Sequence, residues 1–175
     1  MTAPEFSRSV RIDSIGEQAR PLEIAADENE RAALARRFGL LGLARLEAAL
    51  TLSRRGDEIA VHGRLAAAVT QACVATAEPV AAEVAAPFDI LFRPQPDMAG
   101  AEEEVELSES EMDVVFHDGA AIDVGEAVAE TLALALAPYP RAPDADEILK
   151  AAGIKSEEEA GPFAALAGLR DKLKK

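Results

Sequence analysis

Hydrophobic and polar residues alternate along the middle of the chain, and this alternation predicts a β-sheet. In residues 40–92, apolar side chains recur at every second position in three successive runs. The sequence RRGD around Gly56 predicts the first turn, and Glu78 with Pro79 marks the second. One apolar and one polar face per strand is typical of an antiparallel sheet that is buried on one side. We therefore expect an antiparallel meander whose inner face is covered by helices.

The same alternation gives the inward positions of the three strands. They are Leu40, Ala44, Leu46, Ala48, Leu50 and Leu52 in the first strand, Ile59, Val61, Leu65, Ala67 and Val69 in the second, and Val80, Val84, Phe88, Ile90 and Phe92 in the third. Pro87 lies within the third strand and has no N–H for a sheet hydrogen bond. The third strand is therefore expected to be an edge strand or to be bulged at Pro87.

Two stretches have a helical period, and each begins with a capping pattern. Asp27 with Glu30 predicts a capping box and a helix that ends at Gly39. Asp123 with Glu126 predicts a second capping box, followed by apolar residues at four-residue spacing. This stripe consists of Val124, Val128, Leu132 and Leu136. It predicts a helix that packs on other elements through one face.

Prolines end the second helix and restrict the segment that follows. Pro138 and Pro140 are expected to hold Tyr139 and Arg141 in an extended segment. For Tyr139, packing over the sheet is the favoured expectation. Arg141 has two open interpretations, because it either closes a site for a partner or forms an internal ion pair. The internal candidates are Asp123, Glu126 and Glu130.

The rest of the chain adds shorter elements and completes the predicted fold. Residues 5–12 alternate and predict an opening strand, whereas Pro21 and its acidic surroundings predict a loop. Residues 112–116 predict a further strand, and residues 144–152 predict a short helix. Together the elements predict an α+β fold, an antiparallel meander or partly closed sheet of about five to seven strands covered by three to four helices.

Length and composition predict the organisation into domains. At 175 residues the chain can bury its own core, and we expect a single α+β domain in residues 1–155. Within it, residues 94–110 combine Pro, Gly and acidic residues with few apolar ones, which predicts a flexible acidic loop. Residues 156–175 are predicted to form a polar linker and a C-terminal amphipathic helix.

Three features of the composition predict a cytoplasmic location. No apolar run reaches the roughly 18 residues of a transmembrane helix. The N-terminus lacks the apolar core of a secretory signal. The single cysteine, Cys73, fits a reducing compartment, and a lone Cys of this kind is usually a small buried residue.

The net charge of −14 is concentrated in one part of the chain. Residues 94–140 contain 12 acidic residues and no Lys or Arg, whereas acids and cations nearly balance in the rest. Because nucleic-acid binders concentrate cations, this part is not expected to bind phosphates. It suits a basic protein partner, although keeping an alanine-rich protein soluble is an equal alternative. The acidic partner surface is predicted at Glu102, Glu103, Glu104, Glu106, Glu109 and Glu111.

The residues carry no pattern typical of catalysis or metal binding. His62 and His117 lie outside any metal-ligand spacing, and P-loop, dinucleotide-binding and nucleophile-elbow patterns are missing. Asp123, Glu126 and Glu130 share a helix face, as a magnesium site would require, but the first two are already explained as a cap. We therefore predict no metal, no cofactor and no enzymatic activity.

Three separated segments resemble one known family. Residues 70–94, TQACVATAEPVAAEVAAPFDILFRP, resemble the central motif of the YceD-like proteins, also called large ribosomal RNA subunit accumulation proteins. Residues 122–143, IDVGEAVAETLALALAPYPRAP, resemble their second motif, a Leu-rich helix with a Pro-Tyr-Pro-Arg end. The terminal PFAALAGLRDKL is similar to the closing helix of that family.

The resemblance implies a set of characteristic residues, which become candidate binding residues. In the first motif they are Gln71, Cys73, Glu78 and Pro79, and in the second they are Asp123, Gly125, Glu126, Glu130, Tyr139, Pro140 and Arg141. Some members have two cysteines in the first motif, whereas this chain has one. A structural zinc or a redox pair is therefore not expected.

The resemblance also implies a bacterial cytoplasmic protein that is needed for accumulation of 23S ribosomal RNA and for large-subunit assembly. Combined with the charge, it predicts a non-catalytic protein that binds a basic large-subunit ribosomal protein or assembly factor, with ribosomal RNA stabilised indirectly. The alternative is direct binding or processing of ribosomal RNA by the N-terminal half. It would have to use the arginines of the first 93 residues, for instance Arg36, Arg37, Arg45, Arg54, Arg55 and Arg64.

Overall fold

The structure, a computed structural model, describes residues 4–95 and 113–154. The strands in this part are β1 (Ser9–Arg11), β2 (Arg20–Ala25), β3 (Gly42–Arg55), β4 (Glu58–Ala72), β5 (Pro79–Pro94), β6 (Asp113–His117) and β7 (Ala121–Asp123). The helices are α1 (Glu28–Arg37), α2 (Val124–Ala135) and α3 (Ala145–Ala151), with a 3₁₀ turn at Ile12–Ser14. The predicted α+β fold class is confirmed.

Five strands form the larger sheet in the order β2-β3-β4-β5-β6, and β1 pairs with β7 in a second sheet. The β2–β3 and β3–β4 pairs are antiparallel, as expected of a meander. In contrast, β6 lies parallel to β5, with Ile90 opposite Asp113 and Pro94 opposite His117. Residues 95–112 separate these strands, which exceeds the dozen or so residues that a parallel connection needs. The described sheet is open, with β2 and β6 as its terminal strands.

Gly56 provides the predicted turn between β3 and β4. Its φ is 62°, and Arg55 lies opposite Glu58, so the connection contains two residues. Glycine in the left-handed region at the first position of a two-residue turn matches the twist of the flanking strands. Arg54 Nε also donates to the Gly56 carbonyl oxygen at 2.6 Å, which holds the turn from one side.

A bulge in β3 changes one predicted inward position. The register between β3 and β4 shifts between Leu43 and Arg45, so Ala44 is the extra residue. Leu43 is buried and Ala44 is exposed, the reverse of the prediction. Alternation alone does not reveal a bulge, because the extra residue shifts the phase of the strand without an unusual residue type.

Two prolines lie in strands at places where a missing N–H is tolerated. The predicted loop at Pro21 is wrong, since Pro21 belongs to β2 and lies opposite Thr51. It is accommodated because β2 is a terminal strand. β6 pairs only with residues 90–94 of β5, so at Pro87 the only described neighbour of β5 is β4. This arrangement agrees with the edge interpretation of Pro87.

The core lies between the inner face of the larger sheet and one face of each of α1 and α2. Leu34 of α1 and the stripe residues Val124, Val128 and Leu132 are fully buried, as predicted for the second helix. Leu136 lies just past the end of α2 and is partly buried. The predicted inward residues of β4 and those of β5 from Phe88 onward are buried too. No helix within the described ranges is long and apolar enough to cross a membrane.

The ends of α1 follow the predicted capping. The side chains of Asp27 and Glu30 each accept the main-chain N–H of the other, at 2.9 and 2.8 Å, which completes the capping box. At the C-terminus, Gly39 has a φ of 65° and Leu40 N–H donates to the Ala35 carbonyl at 2.9 Å. These are the features of a Schellman motif.

The chain divides into two compact units. The first comprises residues 1–71 and 81–137, and the second comprises residues 72–80 and 138–175. The first contains the core described above, and the described part of the second contains the β4–β5 turn and α3. The predicted linker and C-terminal helix in residues 156–175 lie outside the described residues, as does the predicted acidic loop beyond Gln95. A single domain in residues 1–155 stays a prediction.

Gly63 is a position in β4 where any side chain would collide with β3. A Cβ atom would lie 2.1 Å from the Ala49 carbonyl oxygen and 2.9 Å from Leu50 Cα. Because both are main-chain atoms, the strands would have to separate. We expect Gly63→Ala to lower the free energy of unfolding by about 2–3 kcal/mol, measured by urea denaturation.

Gly42→Ala is the matched control, because it makes the same change at the start of β3. The nearest atoms to a Cβ at Gly42 belong to the Thr70 side chain at 3.8 Å, an ordinary contact. The control should change the free energy of unfolding by less than about 0.5 kcal/mol. Equal losses in the two variants would contradict the steric explanation.

Candidate functional site

Asp123 caps α2 and also fixes the N-terminal segment of the chain. Its Oδ1 accepts the main-chain N–H groups of Gly125 at 3.0 Å and Glu126 at 3.2 Å. The same oxygen accepts the N–H of Arg8 at 2.8 Å, and Oδ2 accepts the hydroxyl of Ser7 at 2.5 Å. The predicted N-cap is confirmed, and the carboxylate additionally joins two distant segments of the chain.

Gly125 permits this close approach because it has no side chain. A Cβ atom at this position would lie 2.5 Å from the Phe6 carbonyl oxygen and 2.7 Å from the Arg8 nitrogen. The N-terminal segment therefore passes directly over the first turn of α2. Val124 N–H donates to the Arg8 carbonyl at 3.2 Å and fixes the crossing from the other side.

Glu126 does not complete a capping box with Asp123, so that half of the prediction is wrong. Its carboxylate accepts two hydrogen bonds from Arg37, at 2.7 and 3.0 Å, and Arg37 also bonds Glu5 at 3.0 Å. The bond to Glu126 is the main cause that raises the pKa of Arg37 above its ordinary value. A two-pronged guanidinium–carboxylate pair is stronger than a single reciprocal cap. Arg37 therefore links α1, α2 and residue 5 instead of only complementing the α1 dipole.

A second pair of this kind holds residue 8 against α1. Arg8 donates to both carboxylate oxygens of Glu30, at 2.6 and 2.8 Å, and to the Ala25 carbonyl at 2.8 Å. The bond to Arg8 lowers the pKa of Glu30 below its ordinary value of 4.5. Because the folded-state pKa is the lower one, the pair stabilises the fold above the ordinary pKa. This contribution is lost as the pH falls through the folded-state value.

Asp123, Gly125 and Glu126 thus each have a structural reason to be present. Their role as binding residues stays a prediction. Sequence reasoning missed Ser7 and Arg8, the residues at the other end of these contacts. No local pattern marks them, because their partners lie 115 and 116 positions away in the chain.

Glu130 lies at a groove of about 420 Å³ in the first unit. Its walls come from β5, β6, β7 and the first turns of α2. The apolar part is lined by Phe92, Val115, Phe116, Ala121, Ile122 and Ala127. The carboxylates that line it are Asp118, Asp123, Glu126 and Glu130, and no Lys or Arg is among the lining residues.

The four carboxylates of the groove are not equally available. Asp123 is occupied by N–H and hydroxyl donors, and Glu126 is paired with Arg37. Asp118 accepts one main-chain N–H, from Ala120 at 3.0 Å, and is exposed. Glu130 is exposed and has no ion-pair or hydrogen-bond partner among the described residues. Asp118 and Glu130 are therefore the carboxylates free to meet a ligand.

His117 supports the wall of this groove. It is 9% exposed, and its Nδ1 accepts the Gly119 N–H at 3.1 Å. Nε2 lies 3.4 Å from the Asp57 carbonyl oxygen, which suits the tautomer with the hydrogen on Nε2. Within residues 4–95 and 113–154, no group of three or more His, Cys, Asp or Glu side chains is placed to hold a metal ion.

Gln71 of the first motif joins the end of β4 to the residues after α2. Its Nε2 donates to the Ala137 carbonyl at 3.0 Å. Carbonyl groups beyond the last helical turn have no partner within the helix and need one elsewhere. Gln71 therefore has a structural role too.

Cys73 lies in the second unit, where it begins the turn between β4 and β5. Its N–H donates to the Glu78 carbonyl at 2.7 Å, and its carbonyl accepts the N–H of Ala77, which has a φ of 62°. The thiol is 3% exposed and packs against Ala142 and Ala145. Burial of the lone cysteine is as expected, although it lies just beyond the strand.

Polar neighbours make the Cys73 thiol more acidic than usual. A hydrogen bond with the Thr76 hydroxyl is the main cause that lowers the pKa of Cys73 to about 7. The Ala142 N–H, which donates to the sulfur at 3.3 Å, adds to the effect.

In the Pro-Tyr-Pro-Arg segment, Tyr139 differs from its expectation, and Arg141 forms an internal ion pair with a residue outside the expected candidates. Tyr139 is 81% exposed, so the prediction that it packs over the sheet is wrong. Arg141 pairs with Asp146 in the first turn of α3, not with an acidic residue of α2. Asp146 follows a turn at residues 143–144 and was not among the expected partners. The carbonyl of Pro140 accepts the Val74 N–H at 2.9 Å.

The remaining candidate residues divide into exposed and undescribed positions. Glu78 and Pro79 are exposed at the end of the Cys73 turn. The predicted acidic partner surface lies outside the described residues. Its members are Glu102, Glu103, Glu104, Glu106, Glu109 and Glu111. The structure brings Asp123, Gly125 and Glu126 together in the first unit, and Cys73, Glu78, Pro140 and Arg141 belong to the second.

Comparison with known proteins identifies the family. The family model described as large ribosomal RNA subunit accumulation protein YceD matches residues 61–170. The chain belongs to the YceD family. The matched span covers more than half of the chain and contains both motif segments, and membership gives this YceD-family protein a role in accumulation of the large-subunit ribosomal RNA. No curated protein and no solved structure matches the sequence.

Removal of the Asp123 carboxylate should loosen the N-terminal segment and α2 together. Asp123→Ala leaves the N–H groups of Arg8, Gly125 and Glu126 without their acceptor. We expect the free energy of unfolding to fall by about 2–4 kcal/mol, measured by urea denaturation.

Asp144→Ala is the matched control for this substitution. Asp144 also stands at a helix N-cap, that of α3, but its side chain makes no capping hydrogen bond. The control should cost less than about 0.5 kcal/mol. A loss in Asp123→Ala no larger than in the control would show that the observed contacts contribute little.

The acidity of Cys73 should depend on Thr76. In Thr76→Val, the pKa of Cys73 should rise from about 7 toward 9.0, because the main hydrogen bond to the thiolate is lost. The measurement is the pH dependence of thiolate ultraviolet absorbance. Cys73→Ser serves as the blank, which corrects for Tyr139, the one tyrosine of the chain. An unchanged midpoint in Thr76→Val would contradict the role of the hydroxyl.

Proposed function

We propose that this YceD-family protein is a non-catalytic binding protein that holds a basic large-subunit ribosomal protein or assembly factor. Ribosomal RNA then accumulates because its protein partner is protected or delivered, without broad contact between this chain and the RNA. The observation that carries the proposal is the stretch of residues 94–140, which has 12 acidic residues and no Lys or Arg. Such a surface attracts a cationic protein and speeds its association.

The described part of this stretch presents several of its acids to solvent. Asp113, Asp118 and Glu130 are exposed, and no cation of the stretch itself offsets them. Free carboxylates near an apolar surface suit a protein ligand with cationic and aliphatic side chains. The cationic groups of such a ligand pair with the carboxylates, and its aliphatic groups pack on the apolar surface. A phosphate backbone would be repelled by the same carboxylates.

The arginines of the N-terminal half weigh against the alternative of direct RNA binding. Arg37, Arg45 and Arg54 are each within ion-pair distance of a carboxylate. Arginines that neutralise internal carboxylates contribute little to phosphate binding, which depends on free positive charge.

Three of the six arginines remain available for an RNA contact. Arg36, Arg55 and Arg64 are exposed, and none of them forms an ion pair among the described residues. They lie at the end of α1, at the β3–β4 turn and in β4. Three cations give a small phosphate-binding surface compared with the several contacts that RNA and DNA binders use.

Replacement of the acidic partner surface tests the proposal. In the variant, Ser replaces Glu102, Glu103, Glu104, Glu106, Glu109 and Glu111. We expect the variant to capture the basic protein at least about tenfold less than the unchanged protein, because electrostatic attraction is lost. The measurement is an affinity pull-down from the native cytoplasm, with and without nuclease, quantified by mass spectrometry.

The matched control places Asp at the same six positions and keeps the charge. It should capture the basic protein as well as the unchanged protein, and nuclease should not reduce the capture. Capture that disappears with nuclease would favour direct RNA binding instead. Full capture by the serine variant would show that these acids do not hold the partner.

A further inference from the structure

We infer that the groove beside α2 binds an extended Lys- and Arg-bearing segment of the protein partner, laid along β6. This inference rests on the proposed function and gives the partner a binding surface within the described residues. Its apolar wall includes Val115 and Phe116 of β6, and its free carboxylates are Asp118 and Glu130.

The position of β6 in the sheet makes an extended ligand suitable. β6 is a terminal strand, and its outer edge has no strand partner in the part of the chain that the structure describes. An extended peptide can add to such an edge through main-chain hydrogen bonds, with its side chains alternating between two faces. Because β6 has five residues, its edge can pair with a short peptide segment.

Phe116 provides an apolar contact that the fold itself does not use. Its side chain is 57% exposed, although it lines the groove next to buried Phe92 and His117. Large exposed aromatic side chains in grooves are frequent anchors for protein ligands. Val115 and Phe116 project to opposite faces of β6, so alternate side chains of an added strand would meet Val115 on one face and Phe116 on the other.

The charges of the groove determine which ligand side chains suit it. Asp118 and Glu130 are exposed, whereas Asp123 and Glu126 are already occupied by Ser7, Arg8 and Arg37. With no Lys or Arg among the lining residues, the two free carboxylates lack a cationic neighbour in the groove. A ligand with cationic side chains at alternate positions complements both of them.

Charge complementarity also weighs against two other occupants. An RNA strand would bring phosphates against carboxylates, and a second copy of this chain would bring a net charge of −14. A basic segment is the occupant that the groove attracts. We assign it to the partner and not to this chain's own basic residues Arg170, Lys172, Lys174 and Lys175.

The test uses the full chain and a fluorescein-labelled peptide of alternating Lys and Thr, about ten residues long, whose binding is measured by fluorescence anisotropy. The double variant Asp118→Asn/Glu130→Gln should bind this peptide about five- to tenfold more weakly than the unchanged protein. Phe116→Ser should weaken binding of a Lys-Val peptide by about threefold or more, because the apolar contact is lost.

The matched control is Glu17→Gln/Glu23→Gln, which changes the net charge equally at two exposed positions away from the groove. It should change peptide affinity less than about twofold, because distant surface charges are screened. Equal weakening by the control and the groove variants would overturn the inference. Thermal melts check that every variant is folded. We expect folding to be retained because the substituted side chains are exposed.

Two further outcomes would overturn the inference in other ways. Binding of a single-stranded RNA probe that depends on Asp118 and Glu130 would make the occupant a nucleic acid. Self-association that is lost in Phe116→Ser, measured by sedimentation, would make it a second copy of the chain.

The two proposals fail separately. If groove variants leave peptide binding unchanged while the pull-down depends on the six glutamates, only the groove inference fails. If peptide binding depends on the groove but the pull-down is lost with nuclease, the proposed function fails.

Discussion

The carboxylate of Asp123 is the interaction on which the arrangement of the first unit depends. It ends β7, starts α2 and receives the N–H of Arg8, so three main-chain segments meet at one side chain. An unsatisfied buried N–H costs about 1–3 kcal/mol, which makes a single acceptor for several donors difficult to replace. Gly125 follows from the same constraint, since only glycine allows the N-terminal segment to cross so closely. The pairs Arg8–Glu30 and Arg37–Glu126 then join this crossing to α1.

The contacts of Asp123 and its neighbours divide the acidic residues of the groove into two groups. One group holds the fold together, and the other is not engaged in this way. Asp123 and Glu126 are engaged by donors of the same chain, so a ligand that took them would have to compete with these contacts. Asp118 and Glu130 line the same groove, where Asp118 accepts a single main-chain N–H and Glu130 has no hydrogen-bond or ion-pair partner among the described residues. The motif residues Asp123 and Glu126 can therefore have a structural role while Asp118 and Glu130 stay accessible. Asp123 and Glu126 hold the wall of the groove in place, and Asp118 and Glu130 are exposed on it.

Local patterns in the sequence were sufficient for most elements of the fold. Alternation gave β3, β4 and β5, capping residues gave both helix starts, and Gly56 gave the hairpin. The misses arise from non-local causes. The bulge at Ala44 and the parallel placement of β6 depend on strand register, which residue types do not encode. In the candidate site, the N-cap was predictable, but the pairing of Glu126 with Arg37 joins residues 89 positions apart.

Internal ion pairs also determine which charged side chains stay unpaired at the surface. Arginines of the N-terminal half are held by carboxylates, as at Arg8, Arg37 and Arg45, so they cancel charge within the first unit. Residues 94–140 have no cation of their own, and only Glu126 of the described acids there receives a guanidinium from elsewhere. Among the described acids of this stretch, Asp113 at the start of β6, Asp118 just after β6 and Glu130 on α2 are exposed and form no ion pair with another described residue. Because exposed charges are screened beyond about 10 Å, the field of these carboxylates acts mainly at this surface and not over the whole molecule.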